Sequence, residues 1–203
     1  MKTFSTYTEL PKCTELGFKV VKCPPQVWDI ISLNYKTLQQ YKKEEKFEGI
    51  EDFIQYNEAP DLFSFDNLPA ARRDIHNRLL KLHEDWSGQE LIPTYIYGIR
   101  SYKKGSTLIN HKDRIETHHI SAIIIVDRDL GSGKDWPLDI QAHDGTWHKI
   151  YAQPGDMILY ESAICEHGRN EAFEGEFFRN FYVHYKFKNY QLAGTNTDKN
   201  TNT

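Results

Sequence analysis

Three side chains in the 203-residue sequence have the types and the order that a metal site requires: His111, Asp113 and His167. Residues two apart in a strand point the same way, so His111 and Asp113 can present an imidazole and a carboxylate to one point. An open iron(II) site of the oxygenase type uses two histidines and one carboxylate on one face, which leaves room for a chelating co-substrate and oxygen. The second histidine would be His167.

Two interpretations of these residues stay open at this point. A His-x-Asp triplet also arises by chance, and His167 could equally be a surface histidine in a glycine-containing turn. The order of the predicted strands favours the metal site, because four of them separate the triplet from His167. In a jelly roll, such an order brings a late antiparallel strand back beside an early one.

A further candidate is Arg179 in the last predicted strand, residues 177–187. Alternate residues place it among apolar neighbours on the face that we predict to be the core face. An unpaired buried guanidinium is too costly to persist, so Arg179 needs a partner. Either it grips a bound carboxylate through two parallel hydrogen bonds, or it forms an internal ion pair with an acidic residue of another strand.

The elements that must position these residues are predominantly β. From residue 94 onward the hydrophobic period is two, and β-branched and aromatic residues dominate. Many short antiparallel strands with turns predict a sandwich or barrel, and the helical patterns that precede them predict helical buttressing. The predicted fold is therefore mainly β with N-terminal helices, around a double-stranded β-helix of the jelly-roll or cupin-like type. Six strands are predicted, over residues 94–102, 117–127, 138–142, 146–152, 157–161 and 177–187.

The chain is predicted to form one domain over residues 1–190. Residues 1–93 would be a helical and irregular support, and residues 94–190 the jelly-roll catalytic core. The polar, low-complexity segment 191–203 is predicted to be a disordered tail.

Composition and charge argue against several classes of function. A net charge of -4 and a pI near 6.1 provide no basic field of the kind that attracts nucleic acid, so a nucleic-acid partner is not expected. No apolar run reaches the roughly 20 residues that span a membrane, and the first residues lack the apolar core of a signal peptide. We therefore predict a cytoplasmic protein without a membrane partner.

Two stretches of the sequence resemble a known family. The run SYKKGSTLINHKD resembles the prolyl 4-hydroxylase segment in which a tyrosine and a glycine precede the His-x-Asp motif, matched here by Tyr102, Gly105, His111 and Asp113. The run PGDMILYESAICEHGRNEAFEGEFFRNFYVHY is similar to the end of a microbial and viral branch of prolyl-hydroxylase-like, 2-oxoglutarate and iron(II)-dependent dioxygenases. The resemblance covers roughly residues 94–188 and consists of several spaced elements.

The resemblance implies that His111, Asp113 and His167 bind iron(II) and that Tyr102 lies near 2-oxoglutarate. Beyond the metal ligands it implies no catalytic side chain. With O2, such an enzyme decarboxylates 2-oxoglutarate to succinate and hydroxylates a C–H bond, with ascorbate left open as an additional cofactor. By analogy, the acceptor is a prolyl residue in a peptide or protein.

One element departs from the family pattern. Collagen-type prolyl hydroxylases hold the far carboxylate of 2-oxoglutarate with a basic residue two places after a glycine, and counted from Gly175 that place is Phe177. We predict Arg179 as the anchor, with Arg169 as the reserve because it shares a strand face with His167. An Arg179 paired internally with an acidic residue would favour a non-catalytic module that binds a metal or ligand. A third hypothesis keeps the chemistry but changes the acceptor to a free amino acid, a small metabolite or a nucleobase.

Overall fold

The computed structural model describes residues 5–7, 10–46 and 49–192, and for residues 5–7, 191 and 192 only the backbone. Two α-helices are present, α1 (Pro25–Leu38) and α2 (Pro69–Ser87), with short 3-10 helices at Gln39–Tyr41 and Ile50–Asp52. The strands are β1 (Ser5–Tyr7), β2 (Phe18–Lys22), β3 (Lys43–Glu44), β4 (Ile54–Gln55), β5 (Asp61–Ser64), β6 (Leu91–Pro93), β7 (Gly98–Lys103), β8 (Thr107–His111), β9 (Ile120–Asp129), β10 (Leu138–Gln141), β11 (Trp147–Ile150), β12 (Asp156–Tyr160), β13 (His167–Arg169), β14 (Phe177–Phe187) and β15 (Tyr190–Leu192).

Most of the strands form two antiparallel sheets. The larger sheet has the order β2-β12-β9-β14-β7-β5-β3, with β6 paired to β14, and the smaller sheet has the order β11-β10-β13-β8-β4. A separate parallel pair joins β1 to β15. The prediction of a mainly β jelly roll with N-terminal helices is confirmed.

Two apolar layers hold the sheets and helices together. One layer lies between the two sheets, and the other lies between the larger sheet and the helices α1 and α2. The central strand β9 contributes to both, since Ile123 belongs to the layer between the sheets and Ile124 to the layer under the helices. A strand covered on both faces is apolar at consecutive positions, which explains the run Ile123, Ile124, Ile125.

The first 93 residues contribute more than helices. Strand β2 forms an edge of the larger sheet beside β12, and β4 extends the smaller sheet beside β8. The single domain and its division at residue 94 stay predictions. Of the predicted tail, residues 191 and 192 belong to β15, and residues 193–203 lie outside the described part of the chain. No helix among the described residues has both the length and the apolar character that a membrane span needs.

The buried carboxylate of Glu161 ties the N-terminal segment to the end of β12. It accepts hydrogen bonds from the backbone amides of Cys13 and Thr14 at 2.9 Å, and from the Thr14 hydroxyl at 2.7 Å. It also lies 3.1 Å from Nε2 of His143. Glu161 is fully buried, so these contacts replace water completely.

Replacing Glu161 by alanine should therefore destabilise the fold. The variant leaves several buried donors without an acceptor, and we expect the free energy of unfolding to fall by about 3 kcal/mol or more. Denaturant unfolding measures this change. The exposed Glu15 is the matched control, and its replacement by alanine should change the free energy by less than about 0.5 kcal/mol. Equal effects of the two substitutions would contradict the assigned role.

Candidate metal centre and co-substrate pocket

The two candidate histidine ligands lie on neighbouring strands of the smaller sheet. His111 is the last residue of β8 and His167 is the first residue of β13, and the antiparallel register pairs them directly. Their ring centroids are 4.5 Å apart. The late strand β13 has thus returned beside the early strand β8, as the predicted order of strands allowed, although neither β8 nor β13 is among the six predicted strands.

Asp113 completes the group from a different kind of position. The expectation that it shares a strand with His111 is wrong, because β8 ends at His111 and Asp113 lies in the loop that follows. The loop is held by a hydrogen bond from the amide of Asp113 to the carbonyl of Ser162, 2.9 Å long. Oδ1 of Asp113 then lies 3.5 Å from Nε2 of His111 and 3.8 Å from Nε2 of His167. All three ligand atoms lie within 4.8 Å of one another.

Backbone carbonyls fix the tautomers of both histidines. Nδ1 of His111 lies 2.8 Å from the carbonyl oxygen of Ile109, and Nδ1 of His167 lies 2.9 Å from that of Cys165. A carbonyl oxygen only accepts hydrogen bonds, so each Nδ1 carries a proton and donates it. In the neutral rings Nε2 is therefore the free lone pair on the side of Asp113, which is the arrangement found around metal-bound histidines.

The local charges also suit a cation. Burial alone would raise the pKa of Asp113, but the hydrogen bond with His111 and the neighbouring His167 and His184 hold this pKa well below its usual range. Burial lowers the pKa of His167 to about 4. For His111, burial is the largest single effect and lowers the pKa, but the hydrogen bond with Asp113, the hydrogen bond with the Ile109 carbonyl and the charge of Asp113 together raise the pKa by more, so the net shift is upward. A metal ion must displace the proton of His111, so its affinity should fall as the pH drops toward this raised pKa.

Tyr160, the last residue of β12, orients the carboxylate. Its side chain is buried, and its hydroxyl donates to Oδ2 of Asp113 at 3.4 Å. Burial raises the pKa of Tyr160 well above its usual value, with Asp113 as the next cause, so the hydroxyl keeps its proton. Because Oδ2 is occupied in this way, Oδ1 is the oxygen that faces the two histidines.

Replacing Tyr160 by phenylalanine should therefore weaken metal binding without removing a ligand. We expect the affinity for iron(II) to fall by about tenfold, the lower end of the usual loss when a group that orients a ligand is removed. Competition with a chromogenic chelator under anaerobic conditions measures this change. The exposed Tyr151 is the matched control, and Tyr151→Phe should leave the affinity unchanged. An unaltered affinity in Tyr160→Phe would show that Asp113 is oriented by other contacts.

Arg169 is a buried cation on the same strand as His167. It is 2% exposed, and its guanidinium carbon lies 4.7 Å from the ring of Trp136 and 4.6 Å from that of Phe178. One of its nitrogens donates to the carbonyl of Trp136. Its Nε has no hydrogen-bond partner, and no carboxylate within the described part of the chain pairs with it. Burial lowers the pKa of Arg169. The phenols of Tyr182 and Tyr102, and after them the more distant carboxylates of Asp135 and Asp139, raise this pKa.

These two phenols provide a spare donor close to Arg169. The hydroxyl groups of Tyr102 and Tyr182 lie 2.9 Å apart. Tyr102 also accepts from Arg100 at 3.5 Å, and Tyr182 accepts from the side-chain amide of Asn180 at 3.3 Å. One phenolic proton serves the bond between the two tyrosines, so the other remains free to donate. A buried cation and a free O–H together form a site for a carboxylate.

The structure does not bring Arg179 to this pocket. Its Nη1 lies 3.2 Å from Oδ2 of Asp127, and its Nε donates to the hydroxyl of Ser101 at 3.1 Å. A further hydrogen bond reaches the hydroxyl of Tyr35 on α1, so the side chain lies on the helix side of the larger sheet. The internal ion pair is thus the interpretation that the structure supports for Arg179. This pairing was expected to favour a non-catalytic module, but it does so only if no other cation can hold the co-substrate. Arg169, the reserve candidate, lies between the sheets. Arg100 also reaches this layer, where it contacts Tyr102 and Tyr182, but it is paired with Glu45.

Sequence reasoning missed four side chains around the site: Tyr160, Asn180, Tyr182 and His184. The last three alternate along β14 on the face opposite Arg179. A signal for them was present in the sequence. Polar residues at alternate positions of a strand that is covered on both faces indicate a polar pocket under that face.

The sequence matches no protein-family model and no curated protein. Solved structures do match. A prolyl hydroxylase from Trichoplax adhaerens, in complex with a peptide fragment of the oxygen degradation domain of hypoxia inducible factor, is 11% identical with a TM-score of 0.56, over 83% of each chain. A 2OG-Fe(II) oxygenase family oxidoreductase from Burkholderia pseudomallei is 16% identical with a TM-score of 0.57, over 84% of each chain.

A third similar structure contains bound ligands. HygX from Streptomyces hygroscopicus, with nickel, 2-oxoglutarate and hygromycin B bound, is 14% identical with a TM-score of 0.58, over 86% of this chain and 84% of its own. At such identities these likenesses show the fold. The chain has the jelly-roll fold of prolyl hydroxylases and other 2-oxoglutarate and iron(II) oxygenases, which confirms at the level of fold the resemblance found in the motifs.

Proposed function

We propose that this protein is a 2-oxoglutarate and iron(II)-dependent dioxygenase. The observation that carries the proposal is the convergence of two imidazole nitrogens and one carboxylate oxygen within 4.8 Å, at His111, His167 and Asp113. Two histidines and one carboxylate are the donor set that iron(II) oxygenases use. The fold supports the proposal independently, because the similar structures are oxygenases of this type.

The residues of the pocket fit the co-substrate. Arg169 can hold the far carboxylate of 2-oxoglutarate through parallel hydrogen bonds, and the free phenolic proton of Tyr102 or Tyr182 can complete the contact. This proposal assigns the anchor to Arg169 in place of Arg179. Trp136 and Phe178 enclose the guanidinium and exclude water, which strengthens its interaction with an anion.

The protein contributes placement, and the bound groups contribute the oxidation. When bound, iron(II), 2-oxoglutarate and O2 supply a reaction in which 2-oxoglutarate becomes succinate and carbon dioxide while one oxygen atom enters a C–H bond of the acceptor. His111, Asp113 and His167 hold the metal, and Tyr160 keeps the carboxylate oriented. No side chain has to act as a general base.

For the acceptor we propose a prolyl residue in a peptide or protein. The motif resemblance supports this, and so does the Trichoplax adhaerens structure with its bound peptide. A small-molecule acceptor is the second candidate, because HygX has hygromycin B bound. A cytoplasmic location, the absence of a nucleic-acid partner and a role for ascorbate stay predictions.

Succinate formation tests the proposed activity. Purified protein, iron(II) and 2-oxoglutarate are incubated in air with a library of proline-containing peptides, and succinate is quantified by mass spectrometry. We expect succinate above the level of a metal-free control, and in the matching peptides the gain of one oxygen atom on proline. No succinate under any of these conditions would contradict the activity, whereas succinate without a modified peptide would favour the small-molecule acceptor.

A further inference from the structure

A group of aromatic side chains lies at the rim of the metal site and takes no part in holding the metal or the co-substrate. We call Tyr95, Tyr97 and His118 the aromatic shelf. The two tyrosine rings are nearly parallel, with an interplanar angle of 7° and centroids 5.5 Å apart. The ring of His118 lies 5.4 Å from that of Tyr95 and 6.3 Å from that of Tyr97. The shelf therefore offers two exposed tyrosine rings within one small area, supported from below by the buried ring of His118.

The shelf adjoins the candidate ligand Asp113 through His184. The rings of His118 and His184 are 3.8 Å apart, and Tyr97 lies 6.0 Å from His184. Nδ1 of His184 is in turn 3.8 Å from Oδ2 of Asp113. A molecule resting on the shelf is thus beside the metal site, which is where an acceptor must lie.

The tyrosines of the shelf are exposed but firmly placed. Tyr95 is 40% and Tyr97 is 37% exposed, and their hydroxyl groups make no hydrogen bond within the described part of the chain. Their backbone is fixed at both residues, since His184 donates to the carbonyl of Tyr95 and Phe65 donates to that of Tyr97, each at 3.0 Å. Rigid exposed aromatic rings lose little conformational entropy on binding and are typical of binding hot spots.

The loop beside the shelf adds positive charge. Lys112 and Arg114 flank Asp113, and both are exposed. Neither forms an ion pair with any residue that the structure describes. Arg114 is close enough to Tyr97 to influence the pKa of its phenol, which burial raises. The acidic Glu116 of the same loop is close to the buried His119, whose pKa it raises slightly against the larger lowering effect of burial. Lys112 acts on the pKa of the buried Cys165, which burial raises, so Arg114 is the cation next to the shelf, although the whole chain carries a net charge of -4.

We propose that the aromatic shelf binds the pyrrolidine ring of a prolyl acceptor, and that Arg114 binds an acidic side chain next to that proline. This inference rests on the proposed function and names its preferred sequence context. Proline-containing segments commonly dock on exposed aromatic side chains. The acidic flank follows from charge complementarity with the unpaired Arg114. A nucleobase could stack on the same rings, but the net negative charge of the chain opposes a polyanion.

Direct peptide binding tests the inference without turnover. The protein is loaded with nickel(II) and 2-oxoglutarate, and the fluorescence anisotropy of labelled ten-residue peptides is followed. Three peptides are compared: a central proline flanked by glutamates, the same peptide with alanine for proline, and the proline peptide with lysine flanks. We expect the first to bind at least roughly tenfold more tightly than either of the others, and its affinity to fall with added salt.

Variants of the shelf and the loop identify the binding surface. Tyr97→Ala should weaken the binding of the glutamate-flanked peptide by roughly tenfold. Arg114→Glu should weaken it by a similar factor and reduce the salt dependence. The matched controls are Tyr151→Ala, an exposed tyrosine outside the shelf, and Lys104→Glu, an exposed lysine in the turn before β8 at its end opposite His111. Both controls should bind like the unaltered protein.

Three outcomes would overturn the inference: no peptide binds, the three peptides bind equally, or Tyr97→Ala binds like the unaltered protein. If a single-stranded oligonucleotide bound to the unaltered protein but not to Tyr97→Ala, the shelf would be assigned to a nucleobase, and the inference would equally be overturned. Calorimetric titration of nickel(II) and 2-oxoglutarate into the unaltered protein and the same variants tests the proposed function separately from the peptide-binding role of the shelf. If the unaltered protein bound neither nickel(II) nor 2-oxoglutarate, the proposed function would be contradicted. If it bound both but bound no peptide, only the proposed role of the shelf would be contradicted.

Discussion

Replacing His167 by alanine is expected to weaken iron(II) binding by more than about 100-fold, since even residues that merely orient a ligand contribute 10- to 100-fold. His167 is buried, its Nδ1 is bound to the carbonyl of Cys165, and its Nε2 faces Asp113. The variant removes one of the three donors that the described part of the chain brings together, and water entering the cavity is a weaker and less well oriented ligand than the imidazole. The loss should be measured by anaerobic competition with a chelator, and the variant should form no succinate.

A second histidine provides the matched control. His148 lies on β11 of the same sheet, partly exposed against the ring of Phe18 and outside the ligand group. His148→Ala should keep the iron(II) affinity of the unaltered protein. If His167→Ala also kept it, while remaining folded by circular dichroism, the metal would have to be bound by other residues.

Replacing Arg169 by glutamine is expected to raise the concentration of 2-oxoglutarate needed for half-saturation by roughly 30-fold or more. This corresponds to a loss of about 2 kcal/mol or more, the usual cost of removing one partner of a buried charge pair. The reason is that Arg169 is fully buried, has an unused donor at Nε and has no carboxylate partner among the described residues. Iron(II) binding without 2-oxoglutarate should change little. Calorimetric titration of the metal-loaded variant measures the change.

Arg179→Gln is the control that separates the two candidate anchors. Arg179 is paired with Asp127 and bound to Tyr35 and Ser101 on the helix side of the larger sheet. Its loss should reduce the thermal stability but leave the affinity for 2-oxoglutarate unchanged. The reverse pattern, with 2-oxoglutarate affinity lost in Arg179→Gln and kept in Arg169→Gln, would reject the assignment of the anchor to Arg169.

The sequence was sufficient to predict the fold class and the grouping of His111, Asp113 and His167. Both follow from patterns in the sequence. Period-two hydrophobicity predicts strands, and the four predicted strands between the segment of His111 and that of His167 place the two segments side by side in a jelly roll. The structure groups the same three residues, but Asp113 is positioned differently from the prediction. Asp113 lies in a loop that is held by Ser162, and a long-range hydrogen bond of this kind leaves no trace in the spacing of residues 111–113.

The anchor could not be predicted because β14 is buried on both faces. Alternation correctly separated Phe177, Arg179 and Phe181 from Phe178 and Asn180, but it does not say which face borders the pocket. The face of Arg179 borders the helices, whose packing is set by residues far away in the chain. The strands β3 and β4 could not be predicted either, because each has only two residues and a hydrophobic period cannot be recognised over so short a stretch.

The most direct test of the central claim is an anaerobic titration of metal-free protein with iron(II) and then with 2-oxoglutarate, followed by visible absorption. The account predicts a charge-transfer band that appears only when both are present and that reaches saturation at one equivalent of iron per chain. The band requires 2-oxoglutarate to chelate a metal held by His111, Asp113 and His167. Bound iron that gives no band at saturating 2-oxoglutarate would contradict the account and would favour a jelly-roll module that binds a metal without oxygenase chemistry.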